Sequence, residues 1–145
     1  MAEPLVPGDG VDLLAALKRG WEARDVDALL ALLAEDADIR PDPFGAACVG
    51  TLAIRAWLTG LMARAANTEL DAERSWVVGR TVLAAWHGAL TDRAGARRIR
   101  LRGFLALDLD AAGRIARLRA WPLHRDVGVD ATIRPEGGPP LLEGA

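Results

Sequence analysis

The chain has 145 residues, of which 51% are hydrophobic and 26% charged, the profile of one globular domain with a sizeable core. Eighteen basic and twenty acidic side chains leave a formal charge of -2, so neither a nucleic-acid backbone nor an anionic membrane is an expected partner. One cysteine, Cys48, and two histidines, His87 and His124, exclude disulfide frameworks and zinc ribbons, and no metal or other cofactor is expected. Tyrosine is absent, which removes phenol chemistry. The longest apolar stretch, Ala28 to Ala34, is far below the roughly 20 residues of a membrane helix. With no export signal visible at the N-terminus, the expected setting is cytoplasmic.

Residues 1–8 hold two prolines and a glycine and read as an arm, as does 127–145 with its Arg-Pro-Glu-Gly-Gly-Pro-Pro run. The single domain is expected over 9–126. Val11, Leu14, Leu17 and Trp21 recur at helical spacing, and Asp25 is placed to cap a second helix carrying Val26, Leu29, Leu30 and Leu33. Ala37 to Arg40 reads as a short strand, closed by Pro41-Asp42-Pro43-Phe44-Gly45. Thr51 is expected to cap a third helix whose apolar stripe is Ile54, Trp57, Leu58, Leu61 and Met62.

From Glu69 the period falls to two, with turn signals at Val78-Gly79-Arg80, Asp92-Arg93-Ala94-Gly95 and Asp110-Ala111-Ala112-Gly113, giving four antiparallel strands. Ile99, Leu101, Gly103, Leu105 and Leu107 share one face of the third. In the fourth, Leu118, Ala120, Pro122 and His124 share a face. Helices in front and a meander behind predict an α+β fold with the sheet covered on one side. The uncovered side would expose Phe104, Trp121 and Trp86, and a homodimer through that face is expected.

The helix 25–33, the run Ala34-Glu35-Asp36-Ala37-Asp38-Ile39, the helix start Gly50-Thr51-x-Ala53-Ile54-Arg55 and the turn Asp110-x-x-Gly113-Arg114-Ile115 resemble the nuclear transport factor 2-like superfamily, over about residues 11–126. That superfamily includes ketosteroid isomerases, limonene epoxide hydrolases and SnoaL-type polyketide cyclases. The resemblance implies a cone-shaped, cystatin-like roll: a curved antiparallel sheet with three helices from the N-terminal half on its concave face and an apolar pocket between them. It implies no single reaction.

Asp42-Pro43-Phe44-Gly45 matches the segment that carries the base of ketosteroid isomerases, but Leu17 and Leu105 stand where that family keeps its Tyr and its protonated Asp. The Arg and paired Asp of limonene epoxide hydrolases align with Trp86, Gly88 and Ala120. The SnoaL-type and monensin-type cyclases, which work on large apolar chains with one or two pocket carboxylates, are the better match. The resemblance therefore implies a cofactor-free cyclase or isomerase acting by general acid/base chemistry on a small apolar, polyketide- or terpenoid-like substrate. Asp42 is the expected proton carrier, with its carboxyl raised by an apolar rim. His87 is its partner if Leu83, Ala85 and His87 form the inner face, a parity that Val82, Ala84 and Trp86 contest. Glu69, Asp71 and Glu73 are candidates for a second acid.

The expected pocket wall is Leu17, Trp57, Leu83, Ala85, Leu105, Leu118, Ala120 and Pro122, with Arg40 and His124 as outlying candidates. Two other readings stay open on the same residues. One is a non-catalytic ligand-binding or dimerisation module. The other is a shape-controlled pericyclic cyclase that needs no acid or base.

Overall fold

The computed structural model describes residues 3–142. Helix α1 spans Pro7–Glu22, α2 Val26–Leu30 and α3 Thr51–Arg64; the strands are β1 Leu33–Arg40, β2 Cys48–Val49, β3 Ala65–Val78, β4 Thr81–Asp92, β5 Arg97–Leu109 and β6 Ile115–Val129. They form one six-stranded sheet in the order β2-β1-β6-β5-β4-β3. The meander β3 to β6 is antiparallel throughout, and β1 joins it parallel to β6.

Local chemistry sets most boundaries. Pro7 opens α1 one turn earlier than the apolar spacing indicates, because its missing N–H falls where no helical partner exists. The Asp25 carboxylate accepts from the Ala28 N–H at 3.0 Å, the expected cap. The cap of α3 is Gly50 at φ +87, not Thr51, whose hydroxyl instead donates to the Glu35 carbonyl at 3.3 Å. The β3–β4 hairpin turns at Gly79, at φ +61, and the β4–β5 hairpin turns over residues 93–96, where Ala96, at φ +52, takes the left-handed position.

The main core joins α2, α3 and the sheet through Leu29, Leu33, Ala37, Ile39, Ile54, Leu58, Met62, Val82, Leu107 and Ile115. Each fully buried aliphatic chain among these contributes roughly 1.5–3 kcal/mol. Val82 and Leu107 identify the helix-covered side of the sheet. The register carries that side through Val82, Ala84 and Trp86 on β4, Gly103, Leu105 and Leu107 on β5, and Leu118, Ala120 and Pro122 on β6. Trp86 is therefore inside, 9% exposed, and not on the outer face with Phe104 and Trp121. The expectation for Trp86 failed because both faces of β4 are apolar, so alternation alone does not orient it.

The edge strand β3 is tied to α1 at both backbone groups of Leu70. Its carbonyl accepts from Lys18 Nζ at 2.8 Å and its N–H donates to Glu22 at 2.9 Å. Lys18 also holds the Glu22 carboxyl below its ordinary range, as it does that of Asp71. A covered edge of this kind cannot recruit a further strand there.

The C-terminal segment folds back over the β4–β5 hairpin. The Glu136 N–H donates to the Arg93 carbonyl at 2.8 Å and the Leu141 N–H to Asp92 at 2.6 Å, and Leu141 and Leu142 pack on Ala65, Leu90 and Ile99 as a second cluster. At its root, hydrogen bonds from Thr132, then Thr91 and Asn67, hold Asp130 well below the usual carboxylate range. Of the two expected arms, residues 1–2 and 143–145 lie outside the described residues.

Candidate functional site

The concave face is legible row by row. At one end, Leu118, Leu107, Val82 and Val77 lie side by side across β6 to β3, against the main core. Two rows follow in which small residues dominate. The first is Ala120, Leu105, Ala84 and Ser75; the second is Pro122, Gly103, Trp86 and Ala72. Beyond them come Leu101 and then Leu90 and Ile99 of the second cluster. Ala84 and Trp86 are part of neither cluster.

Within this band Ala84 is fully buried and Trp86 is 9% exposed, while Gly103, Leu105, Ala120 and Pro122 are half-buried. Helix α1 runs along the edge strand β3, from Gly10, where an added Cβ would meet Val77 and Val82, to Lys18 and Glu22 at Leu70. Helix α3 approaches β1, β2 and the start of β3. The close backbone approaches of the two helices are thus at β1, β2 and β3, and α1 also reaches Val82 on β4. Leu17, Trp57, Leu105 and Leu118 pack on the margin of the main core and stay partly accessible, as do Ala120 and Pro122 on the same sheet face. These six of the eight expected wall residues converge on one side.

Leu83 and Ala85 do not. They lie on the outer face, where Leu83 is in register with Trp76 and Ala85 with Phe104. His87 is outside too, exposed, with Nδ1 3.0 Å from Glu73 Oε1 and in register with Arg102, which donates to the same carboxylate at 2.5 Å. The Arg102 hydrogen bond holds Glu73 below its ordinary pKa. The parity that would place His87 in the pocket is thus reversed: Val82, Ala84 and Trp86 take the inner face, and β3 accommodates this with a bulge between Ala72 and Arg74.

Asp42 is exposed in its turn, accepting from the Phe44 N–H at 2.9 Å, while its backbone carbonyl takes the Gly45 N–H at 3.1 Å. Phe44 beside it is 98% exposed. This is the local capping geometry of an Asx turn, with no apolar wall around the carboxylate. Arg40 is on the outer side, 3.7 Å from Asp38. His124 is on the inner side, partly buried and in register with Leu101. Glu69 pairs with Arg98 at 3.3 Å and Asp71 with Lys18 at 2.8 Å, so neither reaches the band.

One functional candidate escaped the sequence reading. The Trp86 indole N–H is buried with no hydrogen-bond partner among the described residues. Its neighbours on the same face, Ala72, Ala84 and Gly103, bring no side-chain acceptor. The mid-strand glycine opposite was the available signal, since glycine in a strand interior marks a bend or a close approach. A separate groove of about 660 Å³, lined by residues including Asn67, Glu69, Arg98, Asp130 and Thr132, is polar, and its charged groups are engaged with one another.

The model of the SnoaL-like domain matches residues 14–118. The structure is similar to the epoxide hydrolase/cyclase-like enzyme SalBIII of pyran ring formation in salinomycin, with a TM-score of 0.73 at 18% identity over 84% of this chain and 96% of that one. It is similar to a computationally designed 17-OHP binder, with a TM-score of 0.70 at 20% identity over 81% and 98%. A Mycobacterium tuberculosis protein in complex with estradiol-17beta-hemisuccinate gives a TM-score of 0.68 at 20% identity over 78% and 92%. No curated protein matches the sequence. At such identities the solved structures speak for the fold. The chain belongs to the SnoaL-like domain family, and its fold is that of the nuclear transport factor 2-like superfamily.

Proposed function

We infer that the protein takes a mostly apolar, natural-product-like molecule, polyketide or terpenoid in character, into the band between its two hydrophobic clusters. Its action there is to hold that molecule's shape for cyclisation or isomerisation, without a titratable side chain at the reacting atoms. The observation that carries this reading is the two-row strip of small residues on the concave face of β3 to β6, half-buried at Gly103, Leu105, Ala120 and Pro122. A concave, apolar surface with few polar groups is the usual form of a small-molecule site. Folding a flexible chain into a reactive conformer is itself a source of rate. Several solved structures of this fold, among them the SalBIII and 17-OHP-binding proteins, are described by such chemistry or such ligands.

Acid/base catalysis by Asp42 and His87 finds less support, because one is capped by its own turn and the other is ion-paired on the opposite face. The test is equilibrium dialysis with 2-isopropylnaphthalene, an apolar probe with no hydrogen-bonding atom. Saturable binding at one probe per chain is expected, and Asp42→Asn and His87→Ala should each leave its affinity within about twofold, as changes away from a contact do. Absence of saturable binding, or its loss in either variant, contradicts the reading.

The outer face is then the contact between two copies. Trp76, Phe104 and Trp121 are 37%, 53% and 45% exposed, and the Trp76 and Phe104 rings stack at 6.4 Å. Among the flanking charges Arg102 pairs with Glu73 and Arg119 with Asp108, and the Arg74 guanidinium lies 5.1 Å over the Trp76 ring. In sedimentation at micromolar concentration the wild type should run at twice the 15.4 kDa chain mass and Phe104→Glu at the mass of one chain. A wild type of single-chain mass ends this assignment.

A further inference from the structure

The inner band holds a buried polar group with no hydrogen-bond partner among the described residues. We propose that the Trp86 indole N–H anchors an oxygen of the bound molecule, so that the site selects an apolar skeleton bearing a carbonyl or ether oxygen over the bare hydrocarbon. The inference rests on the ligand site proposed above and specifies its chemistry.

Three observations converge on it. Trp86 is 9% exposed, and its Nε1 has no partner among the described residues. Buried indole N–H groups ordinarily find an acceptor, and leaving one unmet costs more than its hydrogen bond returns when made. The residues level with it across the sheet are Ala72, Gly103 and Pro122, and those flanking it on the inner face of its own strand are Ala84 and Gly88, none with an acceptor in its side chain. With no acceptor found for it among the described residues, the partner is expected from outside the chain. Finally, an indole is a donor and never an acceptor, so it recognises oxygen and not a hydroxyl's proton. A ligand with an acceptor at that point gains the bond and relieves the orphaned donor. A ligand of the same shape without one leaves it stranded.

The probes are 2-acetylnaphthalene and 2-isopropylnaphthalene, matched in outline and differing in one oxygen. The wild type should bind the ketone about tenfold tighter than the hydrocarbon, the effect of one buried hydrogen bond. Trp86→Phe keeps an aromatic ring and removes the N–H, so the preference for the ketone over the hydrocarbon should fall to about one, with both affinities measured in the same variant. A spectrum of the ¹⁵N-labelled wild type decides independently, including where the variant fails to fold. Of the five tryptophan indole resonances, the slowly exchanging one of buried Trp86 should move further downfield with the ketone than with the hydrocarbon, whose ring current both probes share. Equal affinity of the wild type for both probes, an unchanged preference in the variant, or equal shifts with the two probes overturns the anchor while the ligand site stands. If the hydrocarbon itself does not bind, the site and the anchor fall together.

Discussion

Replacing Gly103 with alanine should destabilise the fold by about 3 kcal/mol, read as a fall in the urea midpoint at unchanged slope. A Cβ at Gly103 would lie 2.4 Å from the Trp121 carbonyl oxygen and 3.0 Å from the Pro122 Cα, both backbone atoms of the neighbouring strand. Gly88 on β4 is in the same position, with a Cβ 2.4 Å from the Glu69 carbonyl oxygen. Both glycines point to the concave side, and a sheet that bends sharply inward brings the next strand's backbone into the space a side chain would fill. The curvature that makes the band therefore depends on them. Gly60 supplies the contrast. It lies in α3 with nothing within 4 Å of its added Cβ, so Gly60→Ala should stabilise by about 0.5–1 kcal/mol. A Gly103→Ala protein as stable as the wild type would mean that the sheet relaxes without cost and that the glycine does not set its shape.

Ala120→Phe should weaken binding of 2-isopropylnaphthalene by about 100-fold, equivalent to about 2.7 kcal/mol. Ala120 sits on the inner face of β6 beside Leu105, in the first of the two small-residue rows. A phenyl group there extends over the strip that the probe would occupy. Stability separates two states of the interior. If the band has room, the added ring fills it and stability changes by less than about 1 kcal/mol; if side chains already pack it to crystal density, overpacking costs about 1–3 kcal/mol. Retained binding together with unchanged stability would place the probe elsewhere on the protein.

The parts of the fold that were legible in the sequence are those dictated by local chemistry. Gly79 and Gly113 end strands in turns at positive φ, whereas in the β4–β5 turn Ala96 and not Gly95 takes that conformation, and the Asp25 carboxylate caps α2 because its neighbours' N–H groups have no helical partner. Family-position reasoning gathered Leu17, Trp57, Leu105 and Leu118 at the core margin, where they pack. Strand parity was legible on β5, whose arginines alternate with aliphatics, but not on β4. There Leu83 and Ala85 are as apolar as Val82 and Ala84, because the outer face carries its own aromatic patch.

The candidate site suffered from the same ambiguity. His87 and Trp86 exchanged faces, which removed a proton carrier from the interior and put an indole donor in its place. Asp42 illustrates a different limit. An Asp-Pro-x-Gly sequence makes a tight turn whether its carboxylate faces a cavity or caps its own amides, and only the path of the chain places it in solvent. The short strand β2 and the packing of Leu141 and Leu142 carried no periodic signal, since two residues make no pattern and a proline- and glycine-rich tail reads as an arm.

The most direct test is a crystal structure of the protein soaked with 2-acetylnaphthalene. The account predicts the ring system on the inner face between Trp57 and Leu105, with its carbonyl oxygen within hydrogen-bond distance of Trp86 Nε1 and with Asp42 still capping Phe44. An interior filled by protein side chains, with the probe absent or stacked on Trp76, Phe104 and Trp121 outside, would contradict it.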